Sequence, residues 1–250
     1  MKSVRKTLFR HVPNTITCMN LFCGCLSVVF SFGCLLEMAA YFIFAAAVFD
    51  FFDGFAARWL RAYSEMGKEL DSLADAVSFG VAPASVMYAM LLLSVEKYGL
   101  PVKTFTCGWW IAATAFVIAI FSALRLAKFN IDTRQTDSFI GLPTPANALF
   151  ICSLAFLSSG KHTWAMFTGN LFFLLAVTIV FSYLLIAELP LFSLKFKSFD
   201  WNSNKIRYVF IALSTLILAI LQWAGLAAVV LAYIILSVFT NFLCSRKVST

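Results

Sequence analysis

Charge is what this sequence has least of. Lysine, arginine, aspartate and glutamate together make up 12% of its 250 residues, while 62% are hydrophobic and the mean hydropathy is +0.89. A soluble domain carries about 25% charged residues, so a water-soluble globular protein is excluded and a polytopic membrane protein is indicated. Histidine is nearly missing: there are two, His11 and His162, and neither has the ligand-type neighbours of a histidine metal site. The seven cysteines (Cys18, Cys23, Cys25, Cys34, Cys107, Cys152, Cys244) are scattered, and Cys23-Gly-Cys25 lacks the two-residue spacer of a redox or zinc pair. That excludes a disulfide or zinc framework. No repeat, low-complexity tract or long polar stretch is present. The net charge of +7 therefore has no soluble face on which to hold nucleic acid, and the positive-inside rule is its simpler source. A cleavable signal peptide is not expected, because the first apolar run follows a basic leader and outlasts a signal core.

What the chain does have is a succession of apolar runs, at about 14–36, 38–60, 70–95, 109–129, 145–159, 164–189, 206–223 and 225–243. A membrane helix needs about 20 apolar residues, so the expected fold is an all-α polytopic bundle of about eight transmembrane helices. The 145–159 run is short, and the last two runs form a tight hairpin around Ala224-Gly225. Residues 1–12 form a basic leader suited to a membrane surface. The whole of 1–250 reads as one membrane domain, with a core at about 13–190 and a C-terminal helical hairpin at about 206–244.

Eight spans sort the cations. Sixteen of the nineteen lysines and arginines fall on one side, among them Lys2, Arg5, Arg58, Arg61, Lys68, Arg125, Lys128, Arg134, Lys195 and Lys197; only Lys97, Lys103 and Lys161 fall on the other. The cation-rich side is expected to be cytoplasmic, with both termini on it, in a multi-pass protein of the cell membrane.

Into this apolar background the stretch 50–75, DFFDGFAARWLRAYSEMGKELDSLAD, sets four aspartates. Asp50 and Asp53 are three apart, and Asp71 and Asp75 four apart, so on helices each pair shares a face. A charged side chain at the centre of a membrane helix costs about 2.5–3.5 kcal/mol on insertion scales. Four together require a partner, and carboxylate oxygens suit hard ions such as magnesium or manganese. Two such ions about 3.5–4 Å apart can clamp a phosphate during displacement. Gly54 leaves room beside Asp53 for a ligand or a neighbouring helix. Arg58, about a turn further on, offers a planar fork to a diphosphate. Ser64 and Gly67 are expected in the turn between the two helices. A single Asp–Arg pair at a membrane interface is more often structural than catalytic; four aspartates in this pattern have no purely structural use.

Asp50-x-x-Asp53-Gly54-x-x-Ala57-Arg58, eight intervening residues, then Gly67-x-x-x-Asp71-x-x-x-Asp75 resembles the signature of the CDP-alcohol phosphotransferase family. The match is complete in spacing and residue type. The resemblance implies an integral membrane enzyme that transfers a phosphatidyl-type group from a CDP-linked lipid to an alcohol and releases CMP, usually as a homodimer. It also implies residue roles. Asp50 and Asp71 would bridge two divalent cations, Asp53 would bind the first and Asp75 the second, and Asp75 would take the acceptor's proton. Gly54, Arg58 and Ser64 would contact the CDP-lipid, with Ala57 and Gly67 giving close packing. Pro13-Asn14-Thr15-Ile16-Thr17 resembles the family's first-helix motif, which puts Asn14 and Thr17 against the nucleotide.

A second resemblance concerns the acceptor. The stretch NTITCMNLFCGCLS at 14–27, Arg125-Leu-Ala-Lys-Phe-Asn130 and Gly141-Leu-Pro-Thr-Pro145 are similar to the phosphatidylserine synthases of that family. The implied substrates are CDP-diacylglycerol and L-serine. A serine site must hold a carboxylate and an ammonium, and Arg125, Lys128 and Asn130, at the expected cytoplasmic end of the fourth span, are candidates to do so. Each cation there is equally well explained as a membrane anchor. The residues two beyond His11 and His162 are Pro13 and Trp164, so the His-x-Lys motif of the other type of phosphatidylserine synthase is absent, and direct attack by the serine hydroxyl is expected. Open alternatives are glycerol 3-phosphate or inositol phosphate as acceptor, an intramembrane prenyltransferase, and a divalent-cation transporter using the four carboxylates.

Overall fold

The computed structural model describes residues 2–131, 138–159, 164–192 and 200–248. Of the residues singled out above, His162 and the cations Arg134, Lys161, Lys195 and Lys197 lie outside these ranges. The described chain is helical apart from one short ribbon. Helix α1 (Lys2–Phe32) carries Pro13 inside it, α2 is Leu36–Trp59, and α3 (Glu65–Ala76) passes through one π turn (Val77–Val81) into α4 (Ala82–Lys97). Helix α5 (Cys107–Ala113) continues through a short tightened turn into α6 (Val117–Ile131). Then come α7 (Thr144–Ser159), α8 (Trp164–Thr168), α9 (Leu171–Ile186), α10 (Trp201–Leu221) and α11 (Trp223–Val248). Strands β1 (Ser138–Ile140) and β2 (Pro190–Phe192) pair antiparallel, with Phe139 opposite Leu191.

Four stretches are long and apolar enough to cross a membrane: His11–Phe32, Leu36–Trp59, Glu65–Lys97 and Cys107–Ile131. Four shorter apolar helices, Thr144–Ser158, Leu171–Ile186, Arg207–Leu221 and Gly225–Phe239, complete the set of eight apolar segments. Sixteen residues, as in α7 and α9, reach about 24 Å at 1.5 Å per residue, short of a hydrocarbon core of about 30 Å. The polytopic helical architecture stands, while eight full crossings do not follow from these lengths.

Three boundaries differ from the hydropathy reading. The third run begins at Glu65 rather than at about residue 70, because the Ser64 side chain accepts from Gly67 N at 3.0 Å and so caps a polar first turn. Gly67 consequently sits in the first turn of α3, not in the connection. The sixth run is two helices: Asn170 caps α9 by accepting from Phe173 N at 3.1 Å, and the carbonyl of Gly169 accepts from Ser94 Oγ at 2.8 Å. The last hairpin turns at Gln222, which has φ 49°, two residues before the expected place.

Helix α4 is the axis of the bundle. Helices α1, α2, α5, α7 and α9 all pack on it, and most of its side chains, from Ala82 to Leu91, are buried. Small residues on α2 (Ala39, Ala40, Ala46) are fully enclosed and let the helices approach closely where no water competes. Several hydroxyls inside the helices donate to the carbonyl four residues back, among them Thr17, Ser31, Ser85 and Thr178, which suits a lipid environment. The connection between α2 and α3 positions the site. These neighbours in sequence do not pack along each other; α3 rests on α1 and α6 instead, and the space between the two acidic faces stays open.

Candidate active site

The i, i+3 spacing of Asp50 and Asp53 on α2 and the i, i+4 spacing of Asp71 and Asp75 on α3 turn both pairs into that space. One carboxylate oxygen from each of Asp50, Asp53 and Asp71 lies within 4.8 Å of the other two. Asp53 is 5% exposed, and its Oδ2, like Oδ1 of Asp71, is buried without a hydrogen-bond partner. Asp75 joins this group through Asp50, whose side chain it contacts, and its Oδ1 accepts from Asn20 Nδ2 at 3.3 Å. Clustered anionic oxygens with unused lone pairs, in an apolar surround, repel one another unless a cation sits among them. The donor set, all oxygen and all anionic, fits a hard divalent cation.

Beside the carboxylates opens a cleft of about 280 Å³. Helix α1 contributes Pro13, Asn14 and Thr17 to its wall; α2 contributes Asp53, Gly54, Ala57 and Arg58; the connection gives Ala62, Tyr63 and Ser64; and α3 gives Gly67, Lys68 and Asp71. All seven residues expected at a CDP-lipid therefore line one cleft, although they come from three helices and the connection between two of them. The two glycines differ in use. A Cβ on Gly54 would meet nothing within 4 Å, so this glycine keeps cleft volume free rather than admitting another helix. A Cβ on Gly67 would come to 2.9 Å from Ser64 Oγ and 3.0 Å from Asn14 Oδ1, so there the absent side chain lets α1 approach the start of α3. Gly67→Ala is expected to displace both polar groups and weaken CDP-lipid binding by roughly tenfold, on the order of one lost hydrogen bond, which titration of the nucleotide-lipid into purified protein measures. Tyr63 and Lys68 were not expected in the wall. Lys68 had a signal available, since it follows Gly67 directly in the first turn of α3; Tyr63 had none.

The three residues considered for the acceptor part company. Arg125 on α6 is 8% exposed, its Nε has no hydrogen-bond partner, and its guanidinium lies 5.7 Å from the centre of the Phe129 ring. It is close enough to Asp75 to feel that charge. Lys128 lies at the surface, paired with Glu188 at 3.1 Å. Asn130 donates from Nδ2 to Ser72 Oγ at 2.9 Å, which ties the end of α6 to α3. Only Arg125 of the three is both enclosed and left with an unused donor. The Gly-Leu-Pro-Thr-Pro segment leads into α7, with Gly141 at φ 80° donating from its amide to the carbonyl of Leu189.

Comparison with known proteins adds a separate line of information. The family model described as CDP-alcohol phosphatidyltransferase matches residues 10–184. Among curated relatives, CDP-diacylglycerol–serine O-phosphatidyltransferase of Bacillus subtilis is 41% identical over 146 residues, covering 58% of this chain and 76% of the relative. The protein of the same name from Helicobacter pylori is 31% identical over 204 residues, covering 81% of this chain and 79% of its own length. That from Methanocaldococcus jannaschii is 32% identical over 151 residues, covering 60% of this chain and 62% of its own length.

Proposed function

This chain belongs to the CDP-alcohol phosphatidyltransferase family, and from that premise we propose that it transfers the phosphatidyl group of CDP-diacylglycerol to the hydroxyl of L-serine, giving phosphatidylserine and CMP. The observation that carries this reading is the convergence of three carboxylate oxygens within 4.8 Å at the edge of a cleft of about 280 Å³. The acceptor is supported by the activity named for the relatives above.

The chain's residues divide the work. Asn14, Thr17, Gly54, Ala57, Ser64 and Gly67 shape the cleft around the CDP moiety, and Arg58, in a wall that Lys68 also lines, faces the diphosphate as a charge-assisted donor. Asp50, Asp53, Asp71 and Asp75 would hold two divalent cations, Mg²⁺ or Mn²⁺, which when bound supply charge neutralisation of the diphosphate. Asp75, at the margin of the carboxylate group and nearest Arg125, accepts the proton of the serine hydroxyl as its oxygen forms the new bond to the β-phosphorus. The bond from that phosphorus to the CMP oxygen breaks, and CMP departs. Arg125 holds the serine carboxylate, which aims the hydroxyl. Lys128 and Asn130 serve by fixing α6 against its neighbours. The same reading puts the site at the cytoplasmic face of the cell membrane, both termini on that side, in a homodimer, for which the mass of the detergent-solubilised particle is the measurement.

The deciding experiment is CMP release by purified protein given CDP-diacylglycerol and one alcohol at a time. Release is expected with L-serine, abolished by chelation and restored by Mg²⁺ or Mn²⁺. Release with glycerol 3-phosphate and not serine would overturn the acceptor while leaving the transfer chemistry standing. Metal flux into sealed vesicles with no CMP release for any alcohol would overturn the enzyme reading itself.

A further inference from the structure

Asn20 has no part in the roles assigned above, yet it is one of the most completely enclosed polar side chains in the molecule. It sits on α1, three residues beyond Thr17, with 0% of its surface exposed. A buried amide in a membrane helix is costly unless it is partnered. Its partner is not a carbonyl of its own helix but the Asp75 carboxylate, 55 residues away in sequence: Nδ2 donates to Asp75 Oδ1 at 3.3 Å. A carboxylate only accepts, so the amide must turn its NH₂ toward Asp75 and its oxygen away. Oδ1 of Asn20 is accordingly buried and without a partner.

The backbone around Asn20 is held as firmly as the side chain. Its carbonyl accepts from Ser78 Oγ at 3.0 Å, and Ser78 belongs to the π turn that follows α3 directly. One turn further along α1, Gly24 faces the same serine. A Cβ there would come to 2.4 Å from Ser78 Oγ and 2.9 Å from Ser78 Cα, so only glycine allows this approach. Helix α1 is thus pinned to the chain immediately after Asp75 at two points, one turn apart, and Asn20 projects from the pinned segment. π turns occur frequently at functional sites, and this one sets where α1 meets α3.

We propose that Asn20 is a positioning residue for the proton acceptor: it holds Oδ1 of Asp75 so that the other carboxylate oxygen stays directed at the acceptor hydroxyl. An aspartate carboxyl rotates in a broad torsional well, and a single fixed donor removes that freedom without occupying the oxygen that reacts. Asn20 does not line the cleft and is not part of the three-oxygen group of Asp50, Asp53 and Asp71, so its effect is expected mainly on turnover. The inference rests on the role of Asp75 proposed above.

The test is Asn20→Leu, which keeps the branched shape in a somewhat larger side chain and loses the donor. The kcat for phosphatidyl transfer is expected to fall about 10–100-fold, the usual cost of removing an outer partner of a site residue. The KM values for CDP-diacylglycerol and L-serine stay within about twofold, and Mn²⁺ binding followed by paramagnetic resonance is retained. A kcat unchanged in Asn20→Leu, while Asp75→Asn is inactive, would overturn this inference alone. Full activity in Asp75→Asn would instead remove the reading on which it rests. Loss of Mn²⁺ binding and a general rise in both KM values would make Asn20 a packing residue and overturn the positioning role. Should Asn20→Leu fail to fold, Asn20→Ser, which is polar but too short to reach Asp75, decides by the same division between kcat and KM.

Discussion

Asp75→Asn is expected to lower kcat by about 10²–10⁴-fold, the range typical of losing a general acid or base, while CDP-diacylglycerol still binds. The asparagine is the same size and can still meet Asn20, so the packing of α3 on α1 should survive. What it cannot do is take a proton from an alcohol. Three of the four carboxylates remain, and these are the three that supply the tight oxygen group, Asp50, Asp53 and Asp71; Asp75 does not line the nucleotide cleft. Binding of the CDP-lipid, measured by titration with purified protein, is therefore expected to change much less than turnover. Asp53→Asn makes the contrasting case, because Asp53 belongs to both the oxygen group and the cleft wall and should weaken metal and nucleotide-lipid together. Turnover at the wild-type rate in Asp75→Asn would assign the proton to another group.

Arg125→Ala is expected to raise the KM for serine by about 10–150-fold. That span corresponds to about 1.5–3 kcal/mol for a hydrogen bond to a charged group, with 1.4 kcal/mol per factor of ten. The guanidinium is enclosed, has an unused Nε–H, and does not border the CDP cleft, so the KM for CDP-diacylglycerol should stay near its starting value. Arg125→Lys keeps a charge but not the planar fork and should fall between the two. An equal rise in both KM values would show that Arg125 supports the site as a whole. Lys128→Ala serves as the comparison, since its surface pairing with Glu188 contributes about 0–1 kcal/mol and should leave the serine KM within about threefold.

Much of this molecule is legible along the chain because membrane insertion is a local, per-residue cost. Hydropathy alone locates eight apolar segments, and the polytopic helical class follows without reference to any contact. Where the reading slipped, the cause was local too. Averaging over an apolar window hides Gly169-Asn170, whose polar side chain caps α9 without lowering the mean hydropathy enough to register. The first turn of α3, Glu65-Met-Gly-Lys-Glu69, is missed for the opposite reason, being too polar to count in an apolar run, and the π turn at Val77–Val81 leaves no trace in composition.

The aspartates were legible for a different reason. Spacings of three and four put each pair on one helical face whatever the rest of the fold does, and the apolar flanks make four aspartates in 26 residues conspicuous. The acceptor side was not legible to the same degree. Arg125, Lys128 and Asn130 are one cation-rich run in the sequence, and only the packing of α6 against α3 and the α9–β2 connection turns one inward, pairs one at the surface and spends one on Ser72.

By itself, then, the sequence determined the membrane class, the helical faces of Asp50, Asp53, Asp71 and Asp75, and the chemical type of the ligand those faces want, because each depends on residues within a turn or two of one another. The tertiary structure alone decided that α2 and α3 stand apart, that α1 closes onto the start of α3 at Gly67, and that Asn20 reaches Asp75. Those are contacts between helices distant in sequence, set by where small residues such as Gly24 and Gly67 permit close approach, and no periodicity along one helix encodes its neighbour.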